Sequence, residues 1–281
     1  MTHPPNLTDA VALARNRARA RAMKSPAMFL QASALAEIQE RLKLVNRTFT
    51  APAIVTPFAD QWRGALPGAT IVNDDETLRL TPGAHDLVVH ALSMHWANDP
   101  VGQMVQARRA LRADGLFLAV LFGGQTLHEL RSVLAEAEIA QTGGLSPRIL
   151  PMAEIRDLGS LLQRAGFALP VADTTTTSVN YASALHLMRD LRAMGEANAL
   201  AARNRTPLRR AVLEHANRLY YDSFGDDGRI CATFEMIFLA GWAPAENQPK
   251  PLRPGSATHG LADALGVKEW PLLEPDTDHQ V

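Results

Sequence analysis

Apolar positions along this chain fall into two kinds of block. In the first kind they recur every three or four residues, as at Leu30, Leu35, Ile38, Leu42 and Val45, with charges between them. That spacing predicts an amphipathic helix over residues 28–45. It returns at Leu127, Leu130, Val133, Leu134 and Ala137, and again at Ile155, Leu158, Leu161, Leu162 and Ala165, where Gly166 ends it. Residues 100–112 open on Pro100 and close on Ala113-Asp114-Gly115, the order expected of a helix. Further helices are predicted over 182–194 and 207–221, with a short one over 58–66 stopped by Pro67-Gly68. Thr126 and Glu129 have capping-box spacing at the start of the helix that carries Leu127 and Leu130.

Blocks of the second kind are short, apolar throughout and bounded by turn residues: 53–55, 69–72, 86–91 and 116–122, a longer run at 231–242, and a weak one at Val171-Ala172. Strands buried on both faces need continuous apolar character, and their alternation with helices predicts an α/β fold with a mostly parallel sheet. With 281 residues there is room for one such domain with helical additions.

Composition narrows the function classes. The chain is 47% hydrophobic and 20% charged, so it should fold rather than stay disordered. With 28 basic and 29 acidic residues the net charge is −1, which gives no field for nucleic acid or an anionic membrane surface. No apolar run reaches the ~18 residues a membrane span needs. A single cysteine, Cys231, excludes an intramolecular disulfide and fits a reducing compartment. The first residues lack a secretory pattern. Arg15, Arg17, Arg19 and Arg21 stand two apart, which scatters their charges around a solvated helix. These features together place the protein in the cytoplasm. No His/Cys cluster has metal-ligand spacing, so no metal is expected, and Ser93 lacks triad partners.

The run Asp86-Leu87-Val88-Val89, followed by Leu92-Ser93 and His95-Trp96-x-Asn98-Asp99, is distinctive. Phe122-Gly123-Gly124-x-Thr126-Leu127-x-Glu129-Leu130-Arg131, Arg156-Asp157-Leu158-Gly159 with Arg164-Ala165-Gly166-Phe167, Val179-Asn180-Tyr181, Met194-Gly195-Glu196-x-Asn198, Ala232-Thr233-Phe234 with Gly241-Trp242, and Gly255-Ser256-Ala257 follow in order. Over roughly residues 15–260 the chain resembles the class I S-adenosylmethionine-dependent methyltransferases. It is most similar to their branch of mitochondrial complex I assembly factors, itself related to the malonyl-carrier-protein methyltransferase of biotin synthesis.

The resemblance implies a Rossmann-like sheet of strand order 3-2-1-4-5-7-6 with one antiparallel strand, and S-adenosylmethionine across the carboxyl ends of strands 1 to 4. It implies cofactor contacts from Thr56, Asp74, Asp75 and His90, and from Ser93 and Trp96; Gly123 and Gly124, at the carboxyl end of the 116–122 strand, either line the floor of that cofactor pocket or serve only the turn. Asp74 would be the carboxylate near the adenine amino group. His95 is either a general base, its ordinary pKa of ~6.5 suiting that role, or a hydrogen-bonded packing residue. Implied partners are a complex I subunit or another protein substrate, whose side chain would undergo methyl transfer or arginine hydroxylation. A non-catalytic assembly module and a small-molecule carboxyl methyltransferase stay open as alternatives.

Two departures stand out. Methyltransferases of this class place a glycine-rich loop after strand 1, where only glycine lets the backbone approach the cofactor. Here the stretch reads Ile54-Val55-Thr56-Pro57-Phe58-Ala59-Asp60, with no glycine until Gly64. The connection to Asp86 is also too short for two further βα units, which predicts that the second strand is missing and that residues 53–55 lie between 69–72 and 86–91. Residues 1–46 are expected as a helical extension, 47–245 as the methyltransferase-like domain with helical insertions, and 246–281 as a proline-rich tail.

Overall fold

The computed structural model describes residues 6–249 and Gly266. Its strands are β1 (Pro52–Val55), β2 (Thr70–Val72), β3 (His85–Ala91), β4 (Leu111–Phe122), β5 (Ala168–Tyr181), β6 (Gly225–Asp226) and β7 (Arg229–Trp242). Its helices are α1 (Ala10–Arg21), α2 (Phe29–Val45), α3 (Ala59–Trp62), α4 (Pro100–Ala110), α5 (His128–Thr142), α6 (Ile155–Arg164), α7 (Ala184–Met194) and α8 (Arg210–Phe224). One sheet holds the strands in the order β2-β1-β3-β4-β7-β5, with β6 folded back on β7.

β2, β1, β3 and β4 run parallel, and β7 is antiparallel to both β4 and β5. Ile54 pairs with Ile71 on one side and Val89 on the other, so no strand intervenes at the expected deletion. The sheet is the 3-2-1-4-5-7-6 order with one strand removed from its first half.

Side chains alternate across the sheet and both faces are covered. Leu87, Val89, Leu116, Leu118 and Val120 face one cluster with Leu130 and Leu134 of α5 and Val212 and Ala216 of α8. Val88, Phe117, Ala119 and Leu121 face the other, with Met104 and Ala107 of α4 and Leu158 and Leu162 of α6. Burial on both sides is the reason β3 and β4 are apolar at nearly every position. A third cluster sets Ala12 and Leu13 of α1 against Trp96, Leu150, Ala199 and Leu200. The contacts divide the chain after Ala245, and the expected proline-rich tail lies mostly outside the described residues.

Several local expectations are corrected. Residues 111–115 belong to β4, where Leu111 pairs with His85 and Asp114 turns the strand at φ 59°, so the helix ends at Ala110. The weak run at Val171-Ala172 is part of the 14-residue β5. Thr174–177 are β-branched and continue the ladder with β7 although they do not read as apolar. Only Ala59–Trp62 is helical in the 58–66 segment. The capping box does not form: α5 is preceded by Leu127 in the left-handed region, with no side-chain cap. Thr126 Oγ1 donates to the Glu235 carbonyl at 3.0 Å and accepts from the Glu235 N–H at 3.1 Å, while Glu129 takes the N–H and hydroxyl of Thr233. Both residues are thereby drawn to β7. α1 is not a solvated helix either, since Asn16 and Arg17 are buried.

Candidate functional site

The carboxyl ends of β1, β2 and β3 form one edge of the site. β1 continues its ladder through the Thr56 N–H, which donates to the Val72 carbonyl at 2.9 Å. Thr56 Oγ1 then accepts from the Phe58 N–H at 3.2 Å, closing a tight polar turn where a glycine cradle is expected. Phe58 is buried, and Gly195, at the end of α7, sits against it so closely that a Cβ there would lie 3.1 Å from the ring.

After β2, Asp74 is held by α1. Arg17 Nη1 donates to both carboxylate oxygens, at 3.0 and 2.9 Å, and the two side chains are 8% and 11% exposed. Asp75 uses its carbonyl, which accepts from Gln103 Nε2 at 3.1 Å, and its side chain is exposed. The same amide donates to the Asp74 carbonyl at 3.3 Å, so Gln103 presents its oxygen to His90 Nε2 at 2.8 Å. Nε2 therefore carries the proton. Burial pushes the His90 pKa down to about 4, against the attraction of Asp74, and the ring is neutral near pH 7.

Leu92 enters the next loop with φ 46°, and a 3-10 turn over Met94–Trp96 follows. Ser93 Oγ is buried with no partner among the described residues. His95 and Trp96 converge on one carboxylate: Trp96 Nε1 donates to Glu196 Oε2 at 2.6 Å and His95 Nε2 stands 3.2 Å from the same oxygen. The His95 ring lies against Phe122, 4.8 Å between centroids. Burial pushes the Glu196 carboxyl up, but His95, Arg17 and the Trp96 hydrogen bond outweigh it and hold the group below the usual carboxylate range.

Behind Trp96 lies a cavity of about 240 Å³ between β4, α5, α7 and the 148–152 loop. Leu130, Leu134, Ile149, Met152, Met188, Leu191 and Met194 make it largely apolar. Trp96, Thr126, Glu196 and Asn198 are the polar part of its lining, and Arg148 and Arg192 add two cations. Arg148 is bonded to Glu138 at 2.5 Å, whereas Arg192 is exposed. Gly123 and Gly124 are not on this lining. They make room for carboxylates: a Cβ would lie 2.4 Å from Glu235 Oε2 at Gly123 and 2.2 Å from Glu154 Oε1 at Gly124. Glu235 crosses there to accept from the Gln125 N–H at 2.9 Å, so both glycines allow a close approach at the turn.

Asp74, His90, His95 and Trp96 thus come together with three residues that the sequence reading did not assign: Arg17, Gln103 and Glu196. Asp75 points away. Of the three, Glu196 had a sequence signal, the Met194-Gly195-Glu196 run. Among the described residues no His, Cys, Asp and Glu group of three or more is arranged to hold a metal.

The sheet order and the convergence of these residues at its carboxyl ends define a class I methyltransferase fold. The chain is 36% identical over 222 residues to the Danio rerio protein named arginine-hydroxylase NDUFAF5, mitochondrial, covering 79% of this chain and 69% of the relative. The Homo sapiens protein of that name is 39% identical over 215 residues, 76% of this chain and 62% of its own length. A malonyl-[acyl-carrier protein] O-methyltransferase of Laribacter hongkongensis is 34% identical over 187 residues, 66% of this chain and 61% of its own. A putative methyltransferase of Bacillus halodurans superposes with a TM-score of 0.47 at 15% identity, covering 75% of this chain and 99% of that structure. No family model matches. This chain belongs to the NDUFAF5 arginine-hydroxylase family, and it spans less than two thirds of most of the curated relatives it matches.

These names correct the cytoplasmic expectation, because the NDUFAF5 relatives are named mitochondrial. One cysteine and a near-neutral charge fit any compartment that keeps thiols reduced, so they did not discriminate.

S-adenosylmethionine is the cofactor of this fold class. As arranged in this structure, the residues at its place are engaged with one another. The glycine cradle is replaced by the Thr56–Phe58 turn under Gly195, and both oxygens of Asp74 are held by Arg17. This closed arrangement does not fit an extended nucleoside.

Proposed function

We propose that this chain acts on an arginine side chain of a protein during assembly of respiratory complex I, the cavity behind Trp96 holding that side chain. The observation that carries the reading is the cavity's place. It opens at the carboxyl ends of β3 and β4, where α/β sheets take their ligands, and Trp96 and Glu196 are part of its polar lining. The relatives' name supplies the reaction class, hydroxylation.

A second reading, a non-catalytic assembly module on the same fold, is favoured by the Arg17–Asp74 closure of the cofactor end. One experiment separates them. In the source organism, Met188→Trp fills the cavity from a lining position. Peptide mass spectrometry then follows oxygen addition to complex I arginines, and native gels follow assembly. Loss of the modified arginine together with assembly supports the first reading. Normal assembly with no modified arginine in either strain supports the second.

A further inference from the structure

We infer that Glu196 is the specificity-determining residue of this cavity and that it takes the guanidinium head of an arginine side chain whose aliphatic stem lies along the Met188, Leu191 and Met194 wall. The inference rests on the reading above that the cavity holds a protein side chain. Its volume of about 240 Å³ is below the ~300–1,000 Å³ of drug-sized ligand pockets and leaves room for one long side chain.

The two oxygens of Glu196 are not equivalent. Oε2 receives Trp96 Nε1 at 2.6 Å and faces His95 Nε2 at 3.2 Å, while Oε1 makes no hydrogen bond among the described residues. Trp96, His95 and the nearby Arg17 charge support the carboxylate, and a cationic head would add a charge-assisted partner at Oε1. Trp96 lines the same cavity, so a guanidinium there has an aromatic ring beside the carboxylate, a setting that favours arginine over lysine. Of the two lining cations, Arg148 is already neutralised by Glu138. Arg192 is exposed to solvent, where its repulsion is screened.

Glu196 is held in place by its surroundings. Gly195, at φ 84°, ends α7, and the Glu196 N–H returns to the Leu191 carbonyl at 2.9 Å. The carboxylate therefore leaves the backbone at a fixed point facing the β3–α4 loop.

The test is isothermal titration of the full chain with Nα-acetylarginine amide and with its neutral isostere, Nα-acetylcitrulline amide. Arginine should bind at least about tenfold more tightly, as one charge-assisted hydrogen bond implies. Glu196→Gln should bring the two within about twofold of each other, and Met188→Trp should abolish both. Citrulline binding as tightly as arginine to the wild type, with Met188→Trp blocking both, overturns the role of Glu196 and leaves the cavity as a side-chain site. Binding that is absent in the wild type, or unaffected by Met188→Trp, overturns both readings. Tighter binding of Nα-acetylglutamate amide overturns the inference in favour of the lining arginines. The wild-type comparison needs no variant, so the result stands even if Glu196→Gln fails to fold.

Discussion

At the scale of single residues, His90 carries the clearest consequence. It is fully buried on β3, donates through Nε2 to Gln103, and leaves Nδ1 without a partner among the described residues. Its folded pKa of about 4 lies below the ~6.5 of an unfolded histidine, so between these values the unfolded chain binds a proton that the folded one does not. Stability should therefore fall as the pH drops from about 6.5 towards 4, by roughly 3 kcal/mol in total at most. The depressed carboxyls work lower down. Glu138, held by Arg148 and Ser146 at about 2 against its burial, and Glu196 keep their contributions above the ordinary carboxylate value and lose them only below it. Urea unfolding at a series of pH values should show the upper slope in the wild type and a flatter one in His90→Gln. An unchanged slope in the variant would assign it to another group.

At the scale of elements, the ion pair from α1 to the segment after β2 is the contact that most shapes the site. Removing one partner of a buried ion pair strands the other, at a cost of about 3–5 kcal/mol when fully buried, and this pair, 8% and 11% exposed, should come somewhat lower. Arg17→Ala and Asp74→Ala should each destabilise, and the double variant should lose less than their sum by about 1–3 kcal/mol in chemical denaturation. Full additivity would mean that this pair adds nothing to holding α1, which would rest on its apolar contacts with Trp96 and Leu200 and on bonds such as those of Asn16 to the Ala197 carbonyl and Arg21 to the Pro57 carbonyl. This contact also shows where the sequence stops being legible. The strands over 53–55, 86–91 and 116–122 and the faces of α2, α5 and α6 follow from apolar periods set within each element. Residues whose partners lie far along the chain do not. Arg17 meets Asp74 across 57 positions and Thr126 meets Glu235 across 109, so a buried cation reads as a surface one and a β7 anchor reads as a helix cap. At the site, His95 and Trp96 were readable from one contiguous run, but their common partner Glu196 lies 101 and 100 residues on, and its role needed the fold.

At the scale of the whole molecule, the deleted βα unit and the closed cofactor end are two sides of one change. With only residues 56–69 between β1 and β2, β1 pairs directly with β2, and α1 and the end of α7 lie over the place where a glycine loop would stand. Cofactor affinity then has two penalties. The missing glycine loop removes backbone hydrogen bonds worth about 0.5–1.5 kcal/mol each, which lowers affinity by roughly tenfold or more. Closure adds a second factor, because a site open only part of the time binds in proportion to its open fraction. If the Arg17–Asp74 coupling is about 2 kcal/mol, releasing it should tighten S-adenosylmethionine binding by up to about thirtyfold. Calorimetric titration of the wild type and Arg17→Ala, beside a family member that retains the glycine loop, checks both factors. The wild type should be the weakest of the three and Arg17→Ala should fall between it and the glycine-loop relative. Equal affinity in the wild type and Arg17→Ala would show that α1 does not gate the site, and wild-type affinity equal to the relative's would show that the Thr56–Phe58 turn replaces the glycine cradle without loss.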